Sequence, residues 1–324
     1  MTTKNSGSDR PATLGGPGWV GRAASHAQEV AEGALWARCG QRSETAPLRS
    51  VLLMRPPGSL GRVSSPNKQL MHAPVDLTAI RQETLAVRDA FEKCGVTVHL
   101  VDPGTDAPPN IVFARDLFFL APDGAVVGRT ASSQRAGEER HAALALAALG
   151  VPILRTVTGR ATLEGADALW LTEDTVLVGT GFRTNEAGAD MLAEVLRDYA
   201  VDVLRVPLGP GVQHLLGSMV PLDDGLAAVH SAAATPRLRG ILRDAGYDLI
   251  ELEPSEDLLG RRGMNLVTVA PRQVVMPARA PRVRRPLEAA GVAVTEVDVR
   301  EYTKAAGGVA CATGILARAD ASPA

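Results

Sequence analysis

Cysteine is scarce in this chain of 324 residues, with three in all at Cys39, Cys94 and Cys311. An odd, sparse set builds no disulfide framework and fits a reducing compartment. No Cys-x-x-Cys, no His-Glu-x-x-His and no His-rich tract is present, so the sequence gives no support to a metal site. No Gly-x-Gly-x-x-Gly follows a strand-like run and no phosphate-binding loop is found, so no nucleotide or other organic cofactor is expected. Charge of one sign is lacking too. The formal net charge is −2, which gives no electrostatic case for nucleic acid or an anionic membrane. No apolar run reaches the roughly 18 residues a membrane span requires. The opening "MTTKNSGSDRPATLGGPGW" lacks the apolar centre of a signal peptide, so a cytoplasmic location is expected.

What is present is an ordinary globular composition, 45% hydrophobic and 22% charged, able to bury a sizeable core. At about 150 residues per domain, the length suggests one large domain or two smaller ones. Residues 1–45 are rich in Gly, Ala and Ser and read as an extension. Its first 20 residues look flexible, and "SHAQEVAEGALWARCG" could form one helix. The texture changes at Leu48, where "LRSVLLMRPP" reads as a strand stopped by prolines. Residues 46–320 are expected to form a single domain.

Within it, one unit recurs: a helical stretch, a small residue, then an alternating apolar strand. The junctions are Gly95, Gly150, Ala200, Gly246 and Gly291, spaced 55, 50, 46 and 45 residues apart. Glycine suits them because a helix C-terminus commonly needs a left-handed residue. Strand pairs lie between the units: "IVFARDLFFL" with "AVVGRT", "DALWL" with "TVLVGT", "SMVPL" with "LAAVH", and "LVTVA" with "QVVMP". Tight links such as "APDG", "TED" and "DDG" join several of them. The pattern predicts an α/β fold of about five strand–strand–helix–strand repeats, closed into a ring about a pseudo-fivefold axis. An open doubly wound sheet is the competing architecture, but it needs single strands between helices.

In such a ring, the start of each strand pair faces the axis. Asn110, Glu164, His214, Asn265 and Cys311 stand there, at steps of 54, 50, 51 and 46 residues, with Asp116 and Asp167 close by. Each alone has an ordinary structural role: a small buried thiol, a satisfied histidine, a turn-capping asparagine, a paired carboxylate. In phase they suggest an axial active site. A cysteine thiolate is a nucleophile. His214 can move protons near neutral pH. Asp116 and Glu164 would suit a cationic, planar guanidinium, which pairs with carboxylates through two parallel hydrogen bonds.

"PNIVFARD", "EGAD", the "HL" of "GVQHLLGS" and "GGVACAT" resemble, in this order, motifs of the guanidino-group-modifying enzymes: arginine deiminases, dimethylarginine dimethylaminohydrolases and amidinotransferases. The resemblance spans about residues 46–318 and implies a five-bladed α/β propeller. It implies Cys311 as nucleophile and His214 as general acid/base, with Glu164 orienting His214 and holding the guanidinium. It places Asp116 on the guanidinium nitrogens and gives Arg135 and Arg183 the substrate carboxylate, while Asn110 and Asn265 are expected beside the substrate by their phase in the repeat. No metal or organic cofactor is implied, and the partner is a small-molecule guanidine. Four positions depart from the pattern. Leu216 stands where deiminases and amidinotransferases carry an aspartate, Asn110 and Arg115 stand where the dimethylarginine hydrolases are acidic, and Ala166 replaces a glycine. The implied function is hydrolysis of arginine or a substituted arginine to a ureido product such as citrulline. Amidino transfer to an amine, a biosynthetic enzyme for a non-proteinogenic guanidine, and a binding protein for cationic amino acids are the alternatives.

Overall fold

The computed structural model describes residues 10–319. Fifteen strands follow one another along these residues. They are β1 (Leu48–Met54) and β2 (Thr97–Val101); β3 (Phe118–Ala121), β4 (Gly124–Val127) and β5 (Ile153–Thr156); β6 (Ala168–Thr172), β7 (Thr175–Thr180) and β8 (Asp202–Pro207); β9 (Met219–Asp223), β10 (Leu226–His230) and β11 (Asp248–Leu252); β12 (Val267–Ala270), β13 (Gln273–Pro277) and β14 (Ala293–Val297); and β15 (Gly314–Arg318). They form five three-stranded sheets, and the fifth is β15-β1-β2, built from both ends of the chain. The fold is a five-bladed α/β propeller, as the repeat predicts. In every blade the first pair is antiparallel and the second parallel.

A parallel pair needs a crossover, and a helix provides it. The helices are α1 (His26–Glu32), α2 (Leu77–Lys93), α3 (Glu138–Ala148), α4 (Glu186–Arg197), α5 (Pro236–Asp244), α6 (Pro281–Ala289), α7 (Arg300–Lys304) and α8 (Val309–Ala312). Of these, α2 to α6 are the crossovers. Their starts are written in sequence: Asp76, Asn185 and Thr235 cap α2, α4 and α5 with side-chain oxygens. Their ends are written too. All five junction residues are left-handed, with φ of 77° at Gly95, 74° at Gly150, 56° at Ala200, 81° at Gly246 and 79° at Gly291. Ala200 holds this conformation despite its Cβ. Burial follows the blade: β3 and β15 are buried throughout, whereas β2 and β5 are half-exposed.

Two elements differ from the sequence prediction. "IVFARD" is not strand. It forms two 3-10 turns, Pro109–Val112 and Ala114–Asp116, and β3 starts only at Phe118. The apolar Ile111, Val112 and Ala114 are buried as a turn would bury them, so apolar content alone misled. The N-terminal helix is also shorter than expected. Ser25 opens it with a capping box and Gly33, at φ 70°, ends it. Beyond it the chain packs on the ring: the Gly40 N–H donates to Leu316 O, and Arg318 N–H donates back to Gly40 O. The residues expected to be flexible at positions 1–9 lie outside the described residues.

Candidate active site

A short turn precedes the first strand of each blade, and these turns carry the in-phase polar residues. Asn110 and Asp116 sit in the 3-10 turns before β3. Glu164 and His214 are the residues that open the turns Gly165–Asp167 and Leu215–Gly217. Asn265 lies just before β12, and Cys311 lies on α8 just before β15.

Cys311 is held by one partner on both sides. Asn265 Nδ2 donates to Cys311 Sγ at 2.9 Å, and its Oδ1 accepts from the Cys311 N–H at 3.1 Å. The Asn265 carbonyl also accepts from Ala310 N–H. Asn265, expected among the substrate contacts, therefore spends both side-chain ends on the cysteine. The two preceding glycines are spacers rather than left-handed turn residues. A Cβ on Gly307 would meet the Phe113 ring at 2.1 Å, and one on Gly308 would meet Asn265 Oδ1 at 2.7 Å. Gly308→Ala is thus expected to push Asn265 off the thiol. Alkylation of Cys311 by iodoacetamide should slow about tenfold, the equivalent of one pKa unit. Global stability should drop by only about 1–3 kcal/mol in denaturant titration. Unchanged alkylation would refute the Asn265 clamp.

His214 is buried, and its Nε2 lies 2.7 Å from Glu164 Oε2. Its Nδ1 is 3.9 Å from Asp116 Oδ1. Burial pulls the imidazole pKa down, but Asp116, Asp167 and Glu164 together outweigh it and push it up to about 9. Glu164 is fully buried. Burial alone would raise its pKa, yet its bond to His214 and the charges of His214, Arg135 and Arg183 hold it well below the usual carboxylate range. Burial raises the Cys311 thiol, and the Asp116 carboxylate adds to this, while Arg262 and the Asn265 amide act the other way.

The two arginines expected at a substrate carboxylate are engaged inside the cluster. Arg135 Nη1 donates to Asp116 Oδ2 at 2.5 Å, its Nε donates to Glu138 Oε2 at 2.9 Å, and it lies 3.7 Å from Glu164. Arg183 Nη1 bonds both Glu164 oxygens, at 3.2 and 3.1 Å. Two carboxylates that sequence spacing did not single out as site residues complete the frame. Asp167 accepts from the Leu215 N–H and the Thr184 hydroxyl, fixing the His214 turn to its neighbour, and burial raises its pKa to about 7. Glu138, also raised to about 7 by burial, backs Arg135 from the first turn of α3. Asp167 was visible in "EGAD", but nothing in the sequence distinguishes Glu138 from its half-buried neighbour Glu139.

Cys311 lines two spaces, which also share Gln213 and Ala306 in their walls. One is an open cavity of about 390 Å³, which His214, Leu216, His230, Arg262 and Asn265 also border. The other is a recess of about 20 Å³ bordered by Asn110, Asp116, Arg135 and Arg183. In the recess two buried acceptors have no donor, Asp116 Oδ1 and Asn110 Oδ1, although Asn110 Nδ2 donates to Gln69 O at 2.8 Å. Glu164 borders neither space and touches His214 instead. Among the described residues, Asp116, Glu164 and His214 bring ligand-type atoms within 4.8 Å of one another. Their negative charge already faces Arg135, Arg183 and the imidazole, so this donor set is matched to the chain's own cations.

The ring and its neighbours in known structures agree. The dimethylarginine dimethylaminohydrolase of Pseudomonas aeruginosa complexed with citrulline superimposes with a TM-score of 0.70 at 22% identity, covering 84% of this chain and 99% of that one. An amidinotransferase of Microseira wollei from saxitoxin biosynthesis superimposes with a TM-score of 0.73 at 15% identity, covering 89% and 99%. In sequence, the N(G),N(G)-dimethylarginine dimethylaminohydrolase of Mycobacterium tuberculosis is 30% identical over 282 residues, which is 86% of this chain and 89% of that protein. Five blades and an axial Cys–His–carboxylate set therefore define a protein of the guanidino-group-modifying superfamily. The arginine deiminase family model matches residues 60–209 and 220–318, and the chain belongs to that family.

Proposed function

We propose that the protein hydrolyses the guanidinium group of arginine or a substituted arginine through a covalent amidino-thioether on Cys311. The observation that carries this reading is the recess beside Cys311, where Asp116 Oδ1 and Asn110 Oδ1 are buried acceptors without a donor. Buried acceptors left unpaired are costly, and a donor-only planar cation would satisfy both.

A guanidinium bound there places positive charge next to both Asp116 and the thiol. That charge opposes the two effects that hold the thiol pKa up, so the substrate itself promotes the thiolate. The sulfur then bonds to the guanidinium carbon and the C–N π electrons move to nitrogen. His214, protonated at neutral pH with a pKa near 9, gives its proton to the departing nitrogen as the C–N bond breaks. Ammonia or an alkylamine leaves. The neutral imidazole next takes a proton from water as the water oxygen bonds to the amidino carbon. The C–S bond breaks, the thiolate returns, and the ureido product is released. Glu164 keeps His214 oriented throughout. Amidino transfer shares every step but the last, where an amine replaces water. The open 390 Å³ cavity above Cys311 favours water.

The same proposal takes residues 46–320 as one catalytic unit with residues 1–45 as its extension, working in a reducing cytoplasm where Cys39, Cys94 and Cys311 stay free. No described helix is long and apolar enough to cross a membrane. The test is mass spectrometry of the protein incubated with arginine, monomethylarginine and asymmetric dimethylarginine, with and without glycine as acceptor. A ureido product is the expected result. An amidinated glycine would replace hydrolysis by transfer, and absence of both products and of a Cys311 adduct would remove the guanidine assignment.

A further inference from the structure

The residue next to Asp116 faces another way. Arg115 and Asp116 share one 3-10 turn, Ala114–Asp116. Asp116 borders the recess beside Cys311, whereas Arg115 borders two voids of about 10 Å³ each that neither Cys311 nor His214 lines. Arg115 is one of the positions that departs from the motif pattern, and no step proposed above uses it. Its partner comes from the N-terminal extension. Arg115 Nη2 donates to both oxygens of Glu44, at 3.2 and 3.3 Å, and both side chains are buried. Glu44 Oε1 also accepts from the Trp170 N–H of β6 at 3.4 Å. Arg318 of β15 borders one of the same voids, and among the described residues no carboxylate bonds to it. It donates instead to the Ala46 and Thr268 carbonyls. Burial pulls the Arg318 pKa down to about 10 and the Arg115 charge adds to this, while Glu44 opposes both. One carboxylate thus faces two buried guanidiniums, and a buried charge left without its partner is costly.

The chain around Glu44 leaves it little freedom. Gly40 is bonded to β15, the Gln41 N–H donates to Ala121 O, and Arg42 donates to the Glu173 and Tyr199 carbonyls. Gly40 has a φ of 119°, and a Cβ there would meet Pro122 O at 1.9 Å, so the chain passes this point only as glycine. Residues 40–46 therefore run as a strap from the seam blade onto the next two. The turn that Glu44 holds is equally confined. A Cβ on Gly165 would meet Arg115 O at 2.5 Å, so the turn carrying Arg115 and Asp116 rests directly on the turn opened by Glu164.

We infer that Glu44 is a positioning residue: by anchoring Arg115 it fixes the Ala114–Asp116 turn and so aims Asp116 into the recess, which makes a segment outside the propeller repeats part of the substrate site. Glu44 lies ahead of the residues that the family match covers, which begin at position 60. Its effect on substrate rests on the guanidine-hydrolase reading, but its effect on Asp116 can be tested without turnover. The Cys311 thiol reports on Asp116, because that carboxylate helps to raise it. In the full chain, the pH midpoint of Cys311 alkylation by iodoacetamide, read by peptide mass mapping, should fall by about half a unit in Glu44→Gln and also in Arg115→Gln. The shared direction is the signature of a released turn. A direct field would instead move the midpoint down when the anion is removed and up when the cation is removed. Opposite shifts, or none, overturn the inference. For turnover, both variants should raise KM about tenfold for arginine or asymmetric dimethylarginine, whichever the wild type accepts, with kcat within about threefold. Equal losses in kcat and kcat/KM also overturn it. Glu44→Leu combined with Arg115→Met removes the charges and keeps the bulk, so its denaturant midpoint should return toward wild type while the KM and alkylation shifts remain. A double variant that recovers all three reduces the pair to a structural one and overturns the inference. Alkylation shifts in a protein that turns over no guanidine would sink the hydrolase reading and leave the Glu44 role standing.

Discussion

Cys311→Ser is expected to lower turnover of any guanidine substrate by about ten-thousandfold or more, because a hydroxyl at this site supplies no thiolate and nothing else near the recess can form the covalent bond. The fold should survive. The side chain is nearly isosteric, and a serine oxygen can still accept from Asn265 Nδ2, which is 2.9 Å from the sulfur. Substrate binding should survive too, since Asp116 and Asn110 remain in place. The measurement is a ureido-product assay beside calorimetric titration of the same preparation. Activity within tenfold of wild type would end the case for Cys311 as nucleophile. Activity and binding lost together would instead mean that the thiol is part of the binding surface.

Glu164→Gln is expected to damage stability and chemistry at once. Glu164 is fully buried, and its two oxygens take Arg183, the His214 ring and the Ala131 N–H. Removing one member of such a cluster leaves buried cations uncompensated and costs about 3–5 kcal/mol. Loss of the group that orients His214 should lower kcat by about a thousandfold. The pH dependence has a definite sign. The folded Glu164 pKa lies below its ordinary value of 4.5, so its contribution is present above pH 4.5 and lost as pH falls through the folded value. The folded His214 pKa is raised from 6.5 to about 9, so its contribution is fully present below pH 6.5 and lost as pH rises through about 9. Denaturant midpoints of wild type should therefore sag at both acid and alkaline pH. In Glu164→Gln both slopes should flatten, and the alkaline one should move to lower pH. A variant that keeps wild-type slopes would show that the ion pairs are not coupled to folding.

The ring was legible because its punctuation is chemical. Five small residues, four of them glycine, end five helices in left-handed conformations, and their spacing sets the period on which Asn110, Glu164, His214, Asn265 and Cys311 fall. The turns before each first strand were less legible. "IVFARD" looks like strand because its apolar side chains are buried, and burial does not distinguish a turn pressed on the axis from a strand beside it. Partners within the site were hidden for a different reason. Whether Arg135 reaches a substrate or is taken up by Asp116 and Glu138 depends on how the turn before β3 meets the start of α3 within one blade, and the linear sequence does not display that meeting.

The blade made of β15, β1 and β2 has a consequence for how the molecule comes into being. Val51 pairs with Ile315, so the two ends of the propeller must find each other across nearly the whole sequence, and such distant contacts slow folding. Cys311 stands on the turn that leads directly into β15. Its clamp, Asn265, belongs to the preceding blade, and the carboxylates that set its thiol chemistry belong to earlier ones. A nascent chain can therefore have four blades in place and still lack the proposed nucleophile. On the proposed reading Cys311 meets its partners last, at the seam, so seam integrity rather than bulk foldedness is expected to set specific activity.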